Sequence, residues 1–458
     1  MNLLNIAWKS VKQRRLASAL TAFSVSLGVM LMVVVLVIDD AVDTAFNQRA
    51  IAYDLIVGAK GSDLQLVLSS VYRIQPPIAN LPLMYLHQLK EDKRIEVAIP
   101  LAFGDFTKPE HGAFPIVGTT NDYFLHEYSP GEHFQVVADP NARQLDGLYD
   151  AVIGSQVALT NNWKVGDTFS IVHGSADSGN DHDEQFTVVA VLKQTGTPND
   201  RSVFLNLEAV YTLDGHQKPV DEVETRLRDF YGNDPARLET ALTHLDQVRE
   251  KRAEGEKLGN KTMGYGLDTP DAMKEVTAVF IRMKTGDDAS AFSAISFVSE
   301  LKNTSKAMAV NPILPIKRLM DSFVGNVRKA LVVLTSMIIA VSGISICVSI
   351  YNSMSDRRRE IGIMRALGAR RGSVFAIVLA ESSVLCIGGG IIGWLIGHAL
   401  AAICAPEVSA RTGLLLNGWA VNSWEFVLFP VLLVLGALVG FLPAMSAYRT
   451  NVADALQS

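Results

Sequence analysis

Residues 16–38 read LASALTAFSVSLGVMLMVVVLVI, 23 consecutive positions without a charge, closed by Asp39-Asp40. At about 1.5 Å per residue such a helix covers roughly 35 Å, enough for a hydrocarbon core of about 30 Å. Three more charge-free runs follow at 330–355, 382–405 and 426–448. Buried helices of soluble proteins seldom run past about 20 residues without a charge, so the four runs read as transmembrane helices. Lys9, Lys12, Arg14 and Arg15 precede the first run like the basic flank of a signal peptide. Its length exceeds the usual 7 to 15 or so apolar residues, and no small-residue cleavage pattern follows, so it reads as a retained anchor. Ahead of it, Leu3, Leu4, Ala7, Trp8 and Val11 fall mostly on one face of an interfacial helix over 1–15.

Composition agrees. Charged residues are 19% of the 458, apolar residues 49%, and mean hydropathy is +0.22. The formal charge of −6 argues against a nucleic-acid binder, which needs a concentrated basic face. That charge is unevenly placed. Residues 39–327 carry 27 basic and 41 acidic side chains, a balance of −14, whereas the remainder sums to +8. The short segment 356–372 alone holds Arg357, Arg358, Arg359, Arg365, Arg370 and Arg371. By the positive-inside rule both chain ends and this segment belong in the cytoplasm, and 39–327 lies outside. All three cysteines, Cys347, Cys386 and Cys404, fall in the runs, so the exported region holds its core without disulfides.

Within that region, strand-like segments recur at Phe114–Gly118, Ala151–Ile153, Phe169–Val172, Phe186–Leu192, Val203–Leu205 and Val276–Met283. Helical patterns cover Leu81–Lys90, Pro235–Lys257 and Ala289–Lys302. The expectation is an α-helical membrane protein of four transmembrane helices, with a large α+β extracytoplasmic domain inserted between helices 1 and 2. The domains are 1–15 interfacial helix, 16–38 first span, 39–327 exported domain, 328–355 second span, 356–372 cytoplasmic loop, 373–405 third span, 406–425 outer loop, 426–448 fourth span and 449–458 tail. Residues 213–272, crowded with charge around Leu238, Leu242, Leu245 and Val248, read as an inserted subdomain. Val276–Met283, the helix from Ala289 and an extended Met308–Leu314 read as one βαβ unit.

The chain offers little catalytic chemistry. It contains no Gly-Lys-Ser or Gly-Lys-Thr, so no P-loop can form, and no catalytic residue is expected. His126-Glu127 opens like a zinc-protease helix, but Pro130 occupies the place of the second histidine. His173 to Glu184 contains two imidazoles and several carboxylates that could bind zinc. Its clustered Ser, Gly, Asn and Asp between strands instead read as a solvated hairpin loop, and no metal is assigned. In the membrane, Gly389, Gly393 and Gly397 in span three, and Gly436 and Gly440 in span four, make flat faces for close helix packing. Glu381 and His398 sit within span three, where an ionised group costs several kcal/mol unless paired or snorkelling.

The segment Arg359-Glu360-Ile361-Gly362-Ile363-Met364-Arg365-Ala366-Leu367-Gly368-Ala369 places Ile361, Met364 and Leu367 on one face of a short helix that Gly368 can cap. It resembles the signature of the MacB/FtsX/LolC-like family of ABC transporter permeases. Val152-Ile153-Gly154-Ser155, Lys164-Val165-Gly166-Asp167 and Phe186 to Leu192 are similar to that family's outer motifs, and Pro443-Ala444 with Asn451 to Leu456 to its tail. The resemblance implies a non-enzymatic permease subunit in the bacterial inner membrane. A cytoplasmic ABC ATPase dimer would dock on Glu360, Ile361, Met364, Arg365, Ala366, Leu367 and Gly368, with ATP and magnesium held by that partner and no cofactor in this chain. It also implies a second permease chain, as a homodimer or with a paralogue, and an extracytoplasmic protein partner in some members. Such proteins either move a substrate or, like FtsX, regulate an extracytoplasmic hydrolase without transport.

Overall fold

The computed structural model describes Lys9, Lys12 and residues 15–46, 52–174, 182–213, 216–258, 269–284, 289–302, 307–366, 368–412 and 416–449. The expected interfacial helix over 1–15 and the tail 449–458 fall almost wholly outside these residues. The chain divides into two units, 46–319 and the remainder.

Four helices long and apolar enough to cross a membrane occur among the described residues. They span Arg15–Phe46, Gly325–Ala366, Arg371–Thr412 and Glu425–Arg449. Each outruns its charge-free window, because a charge ends the part that suits hydrocarbon but not the helical hydrogen-bond ladder. The first helix therefore continues past Asp39 to Phe46, and the third continues past Ala405, through Pro406, to Thr412. The expected loop at 356–372 is mostly helix: the second span runs unbroken to Ala366, and the third begins at Arg371.

The bundle core is a seam of small and β-branched side chains. Val25, Val29, Val33 and Val37, four residues apart on the first helix, pack with Ile346, Ile350 and Ile361 of the second. Val374, Val378 and Cys386 of the third and Leu432, Ala444 and Ala447 of the fourth complete it. Large apolar residues such as Phe23, Met337, Ile344 and Leu438 remain exposed, as expected where the surrounding medium is lipid.

The outer unit is built on a ten-stranded sheet. Its strands, in chain order, are β1 (Leu55–Ala59), β2 (Ile95–Thr107), β3 (Pro115–Thr119), β4 (Asp150–Ile153), β5 (Thr168–Phe169), β6 (Ile171–His173), β7 (Phe186–Val191), β8 (Val203–Asn206), β9 (Ala278–Met283) and β10 (Ala307–Val310). The order across the sheet is β10-β1-β9-β2-β3-β8-β4-β7-β5, with β6 also paired to β2. The 13-residue β2 joins two half-sheets. Ile95 to Leu101 lie antiparallel to β9, and Ala102 to Phe106 pair with β3 across a register shift between Phe103 and Phe106.

The sequence suggested every main strand except β1 and β2. The expected βαβ unit exists in split form: β9 and β10 both run antiparallel to β1, which lies between them. Met308–Leu314 is not extended throughout. The strand stops at Val310, and Asn311 Oδ1 accepts the Ile313 amide at 3.0 Å to start a helix over Ile313–Leu319. The insert is a helical hairpin, Val220–Tyr231 and Pro235–Lys257. Val223, Leu227, Leu245 and Val248 bury against Met84 and Met273 in a core of their own.

Candidate functional site

The signature segment is the last two turns of the 42-residue second helix, ending at Ala366. Gly368 takes φ 98°, its amide donates to Arg365 O at 3.1 Å, and the Ala369 amide donates to Met364 O at 3.0 Å. These two bonds are the Schellman pattern that satisfies the terminal carbonyls of a helix. The next helix opens two residues later, with the Ser373 amide donating to Arg370 O at 2.9 Å. Arg371 lies over the ring of Tyr448, tying the start of the third helix to the end of the fourth.

This geometry redistributes the expected docking face. Ile361 is 3% exposed and belongs to the bundle core, with Met364 packed against the same cluster. Gly362 is buried as well. The outward residues are Ile363 and Ala366, with Arg365 half-buried. The Glu360 side chain and Leu367 lie outside what the structure describes. Ile361 and Met364 thus join the helix end to the bundle, while Ile363 and Ala366 face away from it.

Close approach between helices is concentrated at glycine. A Cβ on Gly389 would stand 2.7 Å from Ala22 O, one on Gly393 would meet Ser26 O, and one on Gly397 would lie 2.9 Å from Val33 Cβ. These three glycines seat the first helix against the third. Gly436, 2.9 Å from Ser383 Cα by the same construction, and Gly440, facing Ser382, seat the fourth helix on the third.

The two polar groups of span three are both buried in the bundle, Glu381 being 4% exposed. His398 is fully buried and held at both ring nitrogens: Nδ1 is 2.7 Å from Gly418 O, and Nε2 is 2.8 Å from Glu425 Oε2. Glu425 also accepts from Trp394 Nε1 at 2.7 Å and from the Asn422 amide at 3.0 Å. Glu425 lies one residue before the fourth charge-free run, so scanning the runs alone overlooks it. At the far end of the first two helices, Arg328 pairs with Asp39 at 3.1 Å.

The reading of His173 to Glu184 as a solvated loop fails at its ends. Residues 175–181 lie outside the described residues, but His182 is 6% exposed and sits beside His173, His216 and Asp105.

Two family models match successive parts of the chain. A model described as MacB-like periplasmic core domain matches residues 18–245, and one described as FtsX-like permease C-terminal matches residues 332–452. The uncharacterized ABC transporter permease MJ1507 of Methanocaldococcus jannaschii is 22% identical over 471 residues, 100% of this chain and 98% of that protein. The uncharacterized ABC transporter permease YknZ of Bacillus subtilis is 34% identical over 148 residues, 30% of this chain and 35% of its own. The macrolide export ATP-binding/permease protein MacB of Rhodopirellula baltica is 30% identical over 154 residues, 33% of this chain. That match spans 21% of the MacB protein's length.

Proposed function

The chain belongs to the MacB- and FtsX-like ABC transporter permeases, a multi-pass membrane protein with a large extracytoplasmic domain, and from that premise we propose that it converts ATP hydrolysis by a partner ATPase into movement of that domain. It works in the cytoplasmic membrane as a pair of permease chains and is not itself an enzyme. The observation that carries this reading is the second helix. It is one uninterrupted element from Gly325 to Ala366, roughly 63 Å at about 1.5 Å per residue, closed at the signature by the Gly368 turn. A push on Ile363 and Ala366 travels along this rod, and the chain continues from its other end directly into the last helix of the outer unit, Ile313–Leu319.

Two further features support it. Ile361 and Met364 fix the rod's end to the third and fourth helices, so an ATPase touching the outward face would move the bundle with it. The sequence contains no P-loop, so nucleotide chemistry must come from elsewhere.

The test is co-purification of the detergent-solubilised chain with a candidate cytoplasmic ABC ATPase, followed by ATPase assay in nanodiscs. Ile363→Asp is expected to abolish retention, because a desolvated charge at a contact costs several kcal/mol, while leaving the chain folded. Equal retention by wild type and variant, or ATP turnover by the chain alone, overturns the proposal. Release of a bound molecule that tracks ATP use identifies transport. A change in an extracytoplasmic hydrolase without such release identifies regulation.

A further inference from the structure

Four side chains from three separate parts of the outer unit converge beside the central strand. Asp105 lies in β2, within the register shift between Phe103 and Phe106, and faces His173 directly across the β2–β6 ladder. After His173, Gly174 turns the chain with φ 79° and donates to Gly104 O at 2.9 Å. The His182 amide then donates to Ile171 O at 3.0 Å, so both ends of the 174–181 excursion are pinned beside β6. His216 comes from the connection between Leu213 and the helical hairpin.

Their ligand atoms all lie within 4.8 Å of one another. His173 Nδ1 is 3.0 Å from Asp105 Oδ1 and 3.1 Å from His216 Nε2, while His216 Nε2 is 3.1 Å from Asp105 Oδ2. His182 Nε2 is 4.0 Å from Asp105 Oδ1. Four donors bound tetrahedrally at about 2.0–2.1 Å stand about 3.3–3.4 Å apart, which falls within this range.

Hydrogen bonding alone does not account for the cluster. Asp105 is satisfied: His173 and His216 stand within hydrogen-bond distance of its two carboxylate oxygens. His182 is not. Its Nε2 is buried and has no hydrogen-bond partner among the described residues. A buried imidazole nitrogen aimed at a carboxylate and two further imidazoles, without a bond of its own, has a lone pair to offer.

We propose that Asp105, His173, His182 and His216 form a binding site for one divalent first-row transition-metal ion, zinc by ligand chemistry. Three imidazoles and a carboxylate suit zinc, and the absence of thiolate sets the site apart from copper(I) or iron–sulfur chemistry. With four protein ligands the coordination shell is closed, so the ion is held rather than used to activate water. Its effect is mechanical: it cross-links the central strand, β6 with the segment at His182, and the root of the helical insert. This proposal is independent of the ATPase partner.

The experiment uses the full chain in detergent, purified without a polyhistidine tag and stripped with a chelator. Zinc is titrated calorimetrically, and cobalt(II) is added as a spectroscopic probe. One zinc per chain is expected, together with the intense visible bands of tetrahedral cobalt. His182→Ala and His216→Ala should each weaken zinc binding by more than the 10- to 100-fold typical of losing an outer-shell partner. His87→Ala, which alters an exposed pair with Asp271, should bind as wild type does. Circular dichroism checks folding, and Asp105→Asn, nearly isosteric, repeats the test should an alanine variant unfold. Absence of stoichiometric zinc, an octahedral cobalt spectrum, or zinc affinity unchanged in the folded variants overturns the proposal.

Discussion

Glu425 accepts three hydrogen bonds at a position 1% exposed, and two of the donors, Trp394 and His398, belong to another helix. Removing its carboxylate leaves a buried indole N–H and a buried imidazole nitrogen without an acceptor. Breaking a buried pair in this way costs about 3–5 kcal/mol. Glu425→Ala should therefore lower the thermal midpoint in detergent markedly, whereas Glu425→Gln, which keeps an acceptor oxygen, should lose less; equal midpoints would refute the assignment. Gly368 offers a smaller test. A side chain in the left-handed region costs about 1–2 kcal/mol per residue, so Gly368→Ala should destabilise by roughly that amount in a thermal or denaturant series. Its capping role was legible because glycine follows an apolar-periodic stretch. The pairing of His398 with Glu425 was not, since 27 residues and a turn separate them.

Among the elements, the third membrane helix carries glycines of two kinds. A Cβ on Gly393 would run into the backbone of the first helix at Ser26, whereas one on Gly388 would meet nothing within 4 Å. Gly393→Ala should cost about 1–3 kcal/mol through overpacking, while Gly388→Ala should be neutral or slightly stabilising. A thermal-shift comparison of the two checks this, and equal effects would argue that close approach at Ser26 is unimportant. The four-residue glycine spacing announced such a face in the sequence. The central strand β2 was hidden, because Pro100 and Gly104 interrupt the pattern that marks a strand. Its two halves serve different neighbours, which explains why so irregular a sequence stays extended over 13 residues.

At the scale of the molecule, two units with separate hydrophobic cores predict two unfolding events. Guanidinium titration in detergent should first remove the β-sheet signal together with the fluorescence of Trp163, which stacks on Phe169 in the outer unit. Helical signal should persist to higher denaturant, and a single coincident transition would contradict the division. The division itself was readable from charge-free runs and the −14 balance between them. The Asp105, His173, His182 and His216 cluster was half visible: two histidines bracketed a suspicious loop, but the other ligands lie 68 residues before His173 and 43 after it, where no spacing rule reaches.

The edge of the sheet bears on how such a domain can be driven. The chain enters the outer unit near β1 and leaves it after β10, and these strands are antiparallel neighbours, with Ile56 opposite Val310. Both tethers therefore emerge from the same end of one hydrogen-bonded pair. Tension that parted them would load the ladder one rung at a time, the geometry of a zipper. Tension applied to both in concert loads no rung and hauls the whole sheet as a single body, so a stroke that spares the fold is one in which the two tethers travel together.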